Sequence, residues 1–416
     1  MRERLKIVSR ILAVVILIAA ISLLYFSMNI KLRDDDSKER KEVESSISVD
    51  VITDDSDVAQ SPVDTNGSVS RTPIVKKLNE QLIVEHIENK IEEKAVEKHV
   101  KPMMETSQKK EITISFVGDC TFGNYTGQGY ASSFNEYLEK NGTDYFFKNV
   151  KDVFENDDIT MLNLEGPLTN HQTTVDKSYP IHCNPQTVDI LAKNSVEVVN
   201  ISNNHTYDCG VSGIEETKDI LDKNNIGYCG DGNIYRTEID EIQISFLGYK
   251  EWSVNDKILT TIKSDIAMEK ENGSKLICVM FHTGMEGSYD SNKIQEQLFR
   301  HSIDVGADIV VSSHPHVLQG IELYKGKVIC YSLGNFSFGA NRNPKDKDTF
   351  IFQQTFKVIG DECIYGESKV IPCSISSSKD TNTYQPKILE GNEYDRVLEK
   401  IKNCSSKYEK SIFLSK

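Results

Sequence analysis

The chain has 416 residues, long enough for one large core or two domains, with 38% hydrophobic residues and a formal net charge of −15. So low an apolar fraction implies that part of the chain is solvated rather than packed. The negative charge argues against nucleic acid as a partner.

Residues 1–33 read as a membrane signal. Arg2, Arg4, Lys6 and Arg10 precede an apolar run from about Ile11 to Ile30, and roughly 20 apolar residues span a bilayer as a helix. A cleaved signal peptide is the other reading, but it has a shorter apolar core and a small-x-small site. Leu24-Tyr25-Phe26-Ser27-Met28-Asn29 offers no such site, and no cysteine follows for a lipoprotein anchor. Basic residues before the run and Asp34-Asp35-Asp36 after it place the N-terminus inside. The expectation is a retained, single-pass signal anchor in the cell membrane with the main domain extracellular. Residues 34–110, charged, rich in Ser and Thr and free of aromatics, are expected to form a largely disordered polar stalk. Leu78, Leu82, Ile83, Ile87, Ile91 and Val96 recur at helical spacing there, so a short amphipathic helix inside the stalk stays open. Six basic and one acidic residue in 1–33, with twelve basic and eighteen acidic in 34–110, leave the remainder at −14. Such a domain repels a polyanion unless a bound cation offsets the charge locally.

The folded part is expected over residues 111–375, followed by a tail, 376–416, with a short helix near Glu393–Asn403. Ile112–Val117, Ile159–Asn163, Val196–Asn200, Ile226–Tyr228, Ile242–Tyr249, Leu276–Phe281 and Asp308–Val311 read as strands. Helices are expected near Tyr145–Glu155, from Pro185 behind a capping Asn184 to about Lys193, over Ser212–Asn224 and over Lys293–Val305. Glu322–Tyr331 reads as a hairpin turning at Lys325-Gly326. The alternation argues for an α/β domain with antiparallel strands added later.

Polar residues fall at the carboxyl ends of those strands: Asp119, Glu165, Asn204-His205, His282, and His314 with His316. Loops at such ends converge on one crevice in layered α/β folds. In Ser312-Ser313-His314-Pro315-His316-Val317 the proline biases His314 toward an extended backbone, and residues i and i+2 of an extended chain point the same way. Both rings should therefore leave on one side. Taken singly, Asp119 and Asn204 are common turn residues. Together, carboxylates, an amide and several imidazoles without clustered thiolates suit Mn²⁺, Zn²⁺ or Fe ions better than Ca²⁺ or Mg²⁺. His171 and His182 follow Glu165 and are either near substrate or simply exposed. His301 lies in a helix pattern and reads as structural; Glu286 either supports the site or is exposed. Nine cysteines with irregular spacing and no Cys-x-x-Cys indicate neither a zinc cluster nor a disulfide scaffold, though a Cys209–Cys229 bridge stays open. Cys278 and Cys330 read as small buried apolar residues.

Gly118-Asp119, Asn163-Leu164-Glu165, Asn203-Asn204-His205-Thr206-Tyr207-Asp208-Cys209-Gly210, His282-Thr283-Gly284-Met285-Glu286, Gly306-Ala307-Asp308 through His314-Pro315-His316-Val317-Leu318-Gln319, and Ser332-Leu333-Gly334-Asn335-Phe336 resemble the ordered motifs of the CapA family. This is the poly-γ-glutamate capsule biosynthesis family, related to the calcineurin-like metallophosphoesterases. The resemblance spans about residues 111–360. It implies a four-layer αββα sandwich of the metallophosphoesterase type and a bacterial envelope setting, with an anionic polymer, the membrane and other capsule-synthesis subunits as partners. It implies one or two divalent metal ions on Asp119, Glu165, Asn204, His282, His314 and His316. His205 matches the residue that protonates a leaving group or steadies the transition state, oriented by Asp208. Two departures stand out. Cys120 and Thr121 follow Asp119 where the superfamily has Asp-x-His, and Glu165 replaces a bridging Asp. The implied activity is a metal-dependent hydrolase or transferase acting on a phosphoester, a γ-glutamyl amide or an activated acyl ester. The alternative is a non-catalytic assembly subunit that grips the polymer or membrane partners through the metal.

Overall fold

The computed structural model describes residues 110–359 and 362–413. The expected anchor and nearly all of the expected stalk lie outside the described residues. Among those described, no helix is long and apolar enough to cross a membrane.

In chain order the elements are β1 (Lys110–Thr121), β2 (Gly123–Tyr125), α1 (Phe134–Asn141), α2 (Lys151–Glu155), β3 (Ile159–Leu164), β4 (Ile181–Cys183), α3 (Val188–Ala192), β5 (Val198–Asn200), α4 (Gly210–Lys223), β6 (Gly227–Cys229), β7 (Ile234–Ile239) and β8 (Ile242–Tyr249). There follow α5 (Asp256–Glu271), β9 (Leu276–His282), α6 (Lys293–Val305), β10 (Ile309–Ser313), β11 (Ile321–Tyr324), β12 (Lys327–Cys330), β13 (Asn335–Phe338), β14 (Asp348–Ile359), β15 (Glu362–Ser374), β16 (Lys387–Ile388) and α7 (Gly391–Ser405).

The strands form two large sheets. One runs β16-β15-β14-β1-β3-β5-β6, with β13 also on β1; the other runs β11-β12-β10-β9-β8-β7. In the first, β1, β3, β5 and β6 are parallel; in the second, β8, β9, β10 and β12 are. Successive side chains on a strand point to opposite faces, and the cores obey that period. Ile112, Ile114 and Phe116 of β1 meet Ile244 and Phe246 of β8 and Cys278 and Met280 of β9 in one inner core between the sheets. Val117, Leu162 and Val199 face outward onto Phe134, Phe154, Ile190, Ile214 and Leu221 of α1 to α4. On the other side Ile277, Val279 and Val310 face Ile258, Ile262 and Ile266 of α5 and Leu298, Phe299 and Ile303 of α6. The layers are thus helices, sheet, sheet, helices. Burying each such large apolar side chain is worth roughly 1.5–3 kcal/mol.

Several elements exceed the sequence expectation. Helix α5 was not anticipated, although Asn255 caps it by accepting from the Ile258 amide and Ile258, Ile262 and Ile266 bury at helical spacing. The long β14–β15 pair was expected only as unspecified antiparallel strands. The hairpin at Lys325-Gly326 is as expected, with φ of 51° and 80°, both positive as a type I′ turn requires. Val397 and Ile401 of α7 enter the inner core, so the segment after residue 375 packs with the rest.

Asp157, just ahead of β3, yields a stability prediction. Its Oδ2 accepts from the Thr160 hydroxyl at 2.8 Å, the Ser115 hydroxyl lends further support, and its Oδ1 is buried with no close hydrogen-bond partner among the described residues. Burial, aided by repulsion from Glu197 and Asp158, pushes its carboxyl up to about 7. The folded state then holds a proton that the unfolded state has released, so stability falls as pH rises from the unfolded value toward 7. Asp157→Asn should melt higher than the parent at pH 8, by about 1–3 kcal/mol, and equal it near pH 4. A thermal-melt series in pH checks this, and a variant no more stable at pH 8 contradicts it.

Candidate metal centre

The parallel strands of both sheets end at the same place. From the first sheet come Asp119 on β1, Glu165 just past β3, and Asn204, His205 and Asp208 past β5. From the second come His282 at the end of β9 and His314 and His316 past β10. Gly118 makes the first of these placements possible: a Cβ there would lie 1.9 Å from the Gly334 carbonyl oxygen. With no side chain, β1 passes close enough for the Asp119 amide to bond that oxygen at 3.0 Å.

A ladder of amides fixes Asp119. Asn163 donates from Nδ2 to Asp119 Oδ1 at 2.8 Å, while its own Oδ1 accepts from Asn200 at 2.9 Å and Asn203 at 3.3 Å. Asp119 Oδ2 accepts the His314 backbone amide at 3.0 Å and lies 3.2 Å from His316 Nδ1. His282 meets Asn163 Nδ2 at 3.1 Å through Nδ1 and Asn204 Oδ1 at 2.7 Å through Nε2. His316 Nδ1 faces Asn335 Oδ1 at 2.8 Å. Side-chain ligand atoms of Asp119, Glu165 and His316 fall within 4.8 Å of one another, and so do those of Glu286, His314 and His316. These two groups hold Asp119, Glu165, His314 and His316 of the expected ligands together with Glu286, while His282 lies 3.4 Å from Asp119 and 3.9 Å from Glu165 and touches Asn204.

The backbone at the two histidines corrects the sequence reading. Neither is extended: His314 has φ 101° and His316 φ 55°. The chain turns sharply so that the His314 amide meets Asp119 and the Pro315 carbonyl accepts from Gly287 at 2.8 Å. Residues held in such regions cost about 1–3 kcal/mol each and persist where surrounding contacts over-determine them. The rings still converge, with centroids 5.7 Å apart.

Glu165 tests whether a cation fits. It is fully buried, and neither carboxylate oxygen has a hydrogen-bond partner among the described residues. An ionised carboxylate in that state costs several kcal/mol. A divalent cation held there with Asp119 and imidazole nitrogens would satisfy it, and carboxylate, imidazole and amide donors suit Mn²⁺, Zn²⁺ or Fe. Burial and the Asp119 charge push the Glu165 carboxyl well above its usual range. Burial acts the same way on Asp119, but His282 and His316 outweigh it and hold that carboxyl well below. His314, desolvated and beside His282 and His316, drops to about 2. Burial lowers His282. Burial also opposes the protonated form of His316, yet Glu165 and Asp119 hold it above the imidazole range.

His205 sits on the rim of this cluster. Its Nδ1 lies 2.6 Å from Asp208 Oδ2 and its Nε2 3.6 Å from Glu165. Asp208 also accepts the Ile181 amide at 2.6 Å and pairs with Lys177 at 2.6 Å. Burial lowers His205 in spite of Asp208, which keeps the ring neutral at pH 7. With Nδ1–H given to Asp208, the Nε2 lone pair faces the cluster. Trp252, 45% exposed, lies edge-on to His314 at 4.6 Å between centroids. Sequence reasoning missed Lys177, Trp252 and the roles of Asn163, Asn200, Asn203 and Asn335. Asn163, Asn203 and Asn335 stood inside quoted motifs, which was the available signal.

Other expectations resolve outside the centre. His301 Nε2 pairs with the Leu259 carbonyl at 3.0 Å, a structural role joining α6 to α5. His171 is exposed beside Glu216, and His182 sits on β4. All nine cysteines are free, so Cys209 and Cys229 are not bridged; Cys278 and Cys330 are fully buried.

The family described as bacterial capsule synthesis protein PGA_cap matches residues 113–340. The PGA biosynthesis protein CapA of Bacillus subtilis (strain 168) is 30% identical over 295 residues, covering 66% of this chain and 74% of that protein. The capsule biosynthesis protein CapA of Bacillus anthracis is 29% identical over 258 residues, covering 56% of this chain and 61% of that one. A solved structure, the putative 5′-nucleotidase from Staphylococcus aureus in complex with alpha-ketoglutarate, aligns over 71% of this chain and 58% of its own with TM-score 0.38 and 13% identity, too slight a likeness to carry fold or activity across. The matched residues hold all the strand-end side chains that form the centre, and the chain belongs to the bacterial capsule synthesis protein (PGA_cap) family.

Proposed function

We propose that this protein serves poly-γ-glutamate capsule synthesis or export from the outer side of the cell membrane, anchored by residues 1–33, through a divalent-metal site acting on the polymer. The domain is read as a metallophosphoesterase-type sandwich, with Asp119, Glu165, Asn204, His282, His314 and His316 holding one or two ions of Mn, Zn or Fe. One observation carries the reading: the buried Glu165 carboxylate has no hydrogen-bond partner among the described residues. The family membership supports the polymer as substrate or cargo.

When bound, the cation supplies Lewis acidity to the reacting oxygen and lowers the pKa of water. The chain's own groups do the rest. Asp208 holds His205 Nδ1–H, which aims Nε2 at the space beside Glu165. There the ring accepts a proton during attack and returns it as the bond breaks. The amide ladder from Asn200 through Asn163 keeps Asp119 in place.

A second reading, a non-catalytic assembly subunit that grips carboxylates through the same cation, is favoured by Thr121. It stands where the superfamily has a histidine ligand, and its hydroxyl is buried without a hydrogen-bond partner among the described residues. Elemental analysis of the purified full chain, with turnover and binding of poly-γ-glutamate, separates the two. Metal with turnover supports the enzyme, and metal with binding alone supports the subunit. A chain that binds no transition metal removes both.

A further inference from the structure

Two lysines grip the same segment beside the metal centre, and neither reading above uses them. Lys177 comes from the loop between β3 and β4, and Lys250 directly follows β8. They therefore approach from different sheets. Lys177 Nζ donates to the Asn204 carbonyl at 3.0 Å and Lys250 Nζ to the Asn203 carbonyl at 2.9 Å, so two ammonium groups hold consecutive peptide oxygens. Those carbonyls belong to the segment that presents Asn204 and His205. Lys177 is also ion-paired to Asp208 at 2.6 Å. Lys250 differs: half-buried, it has no ion-pair partner within 4 Å among the described residues. Its one hydrogen bond leaves two of three N–H donors for something else. Burial and the Lys177 charge both lower it, while Asp231, Glu251 and Asp208 favour its charge from a distance.

A half-buried ammonium with a second cation nearby is costly unless an anion joins it. The surrounding domain carries −14, and Asp208 already compensates Lys177, which leaves Lys250 as the ammonium beside the centre that still lacks a counter-charge in contact among the described residues. Lys250 also lines a cleft of about 600 Å³, which gives room beside the ammonium. Lys257 shares that cleft with Asp231, Glu251 and Asp265, and this mixed lining fits one polymer unit rather than a long track for polyanion.

We propose that Lys177 and Lys250 form an anion subsite adjoining the metal centre, which takes a free carboxylate of the polymer unit beside the bond or group held at the metal. The inference rests on the polymer reading above and adds how the chain is selected: an acidic chain is accepted, and a neutral one of the same backbone is not. The contact is charge-assisted hydrogen bonding from two point-charge donors.

Trp252 is the only tryptophan in the chain, and its ring lies against His314. Its fluorescence therefore reports ligand arrival in the full-length protein. The titrants are an oligomer of γ-linked glutamate, its neutral methyl ester and inorganic phosphate. Lys250→Met should weaken oligomer binding about tenfold, and Lys250→Arg should restore most of it. Salt should weaken the parent more than the methionine variant, and the ester should bind parent and variant alike. Lys177→Met should act in the same direction but also disturbs Asp208, so Lys250 carries the test. Equal oligomer affinity in parent and Lys250→Met, at equal melting temperature, overturns the subsite, as does a parent that binds no oligomer. Phosphate that competes as well as the oligomer overturns the carboxylate assignment. Metal content of the same samples keeps the two proposals apart. A parent with metal but no preference for the acid chain loses only the subsite. A parent without metal that still loses affinity on Lys250→Met loses only the metal reading.

Discussion

Glu165→Gln should weaken metal uptake at least about 100-fold and, in metal-free protein, raise the melting temperature. The two effects have one origin. Glu165 is fully buried with both oxygens unpartnered among the described residues and stands beside the Asp119 carboxylate. Without a cation this is a buried acid that folding forces to take up a proton, and glutamine of the same shape removes that cost. Relief of such a group is worth several kcal/mol, or several degrees for a domain of this size. With a cation, the same substitution deletes a ligand and should weaken binding at least about 100-fold. Calorimetry with and without added Mn²⁺ or Zn²⁺ reads both. The parent should gain stability from metal and the variant should not. A metal-free variant that melts below the parent, or one that keeps its metal, would sink the assignment of Glu165.

His205→Ala should lower turnover of the polymer by about 10²–10⁴-fold, the usual range for a positioned acid–base group, with metal content unchanged. The ring reaches the cluster only through Nε2, 3.6 Å from Glu165, and its other nitrogen is committed to Asp208. Asp208→Asn should also slow turnover, for a reason visible in its contacts. Oδ2 accepts from both His205 and the Ile181 amide, and Oδ1 faces the Lys177 ammonium. An asparagine must turn its NH₂ against one of these donors, so it either displaces Lys177 or forces the wrong tautomer on His205. Steady-state rates with parallel metal analysis decide. A His205→Ala protein as fast as the parent takes the imidazole out of the chemistry.

The layered fold was largely legible because it depends on local periodicity. Ile112, Ile114 and Phe116, or Leu276, Cys278 and Met280, alternate as strands with two covered faces must. The strand ends then located Asp119, Glu165, His282 and the His314–His316 pair, since parallel strands deliver their carboxyl ends to one side. What failed was conformation set by distant partners. Pro315 alone favours an extended His314, yet the backbone bends because Asp119, 195 residues away, accepts its amide. The supporting amides were opaque for a related reason: Asn163, Asn200 and Asn335 look like turn residues until their long-range partners are seen. Lys177 offered no signal in sequence, lying in a polar loop whose course is set by Asp208 bonding the Thr174 and Ile181 amides. Helix α5 does carry a local signal, in Asn255 as its cap and isoleucines at four-residue spacing.

The free thiols give the molecule an internal clock for opening. Cys120, Cys229 and Cys373 are sealed in the first sheet and Cys278 and Cys330 in the second, while Cys363 and Cys404 are only half covered. An alkylating reagent can reach a sealed sulfur only when its neighbourhood comes apart. Mass mapping of alkylated cysteines over time therefore ranks the order in which the two halves breathe, with no label added to the protein.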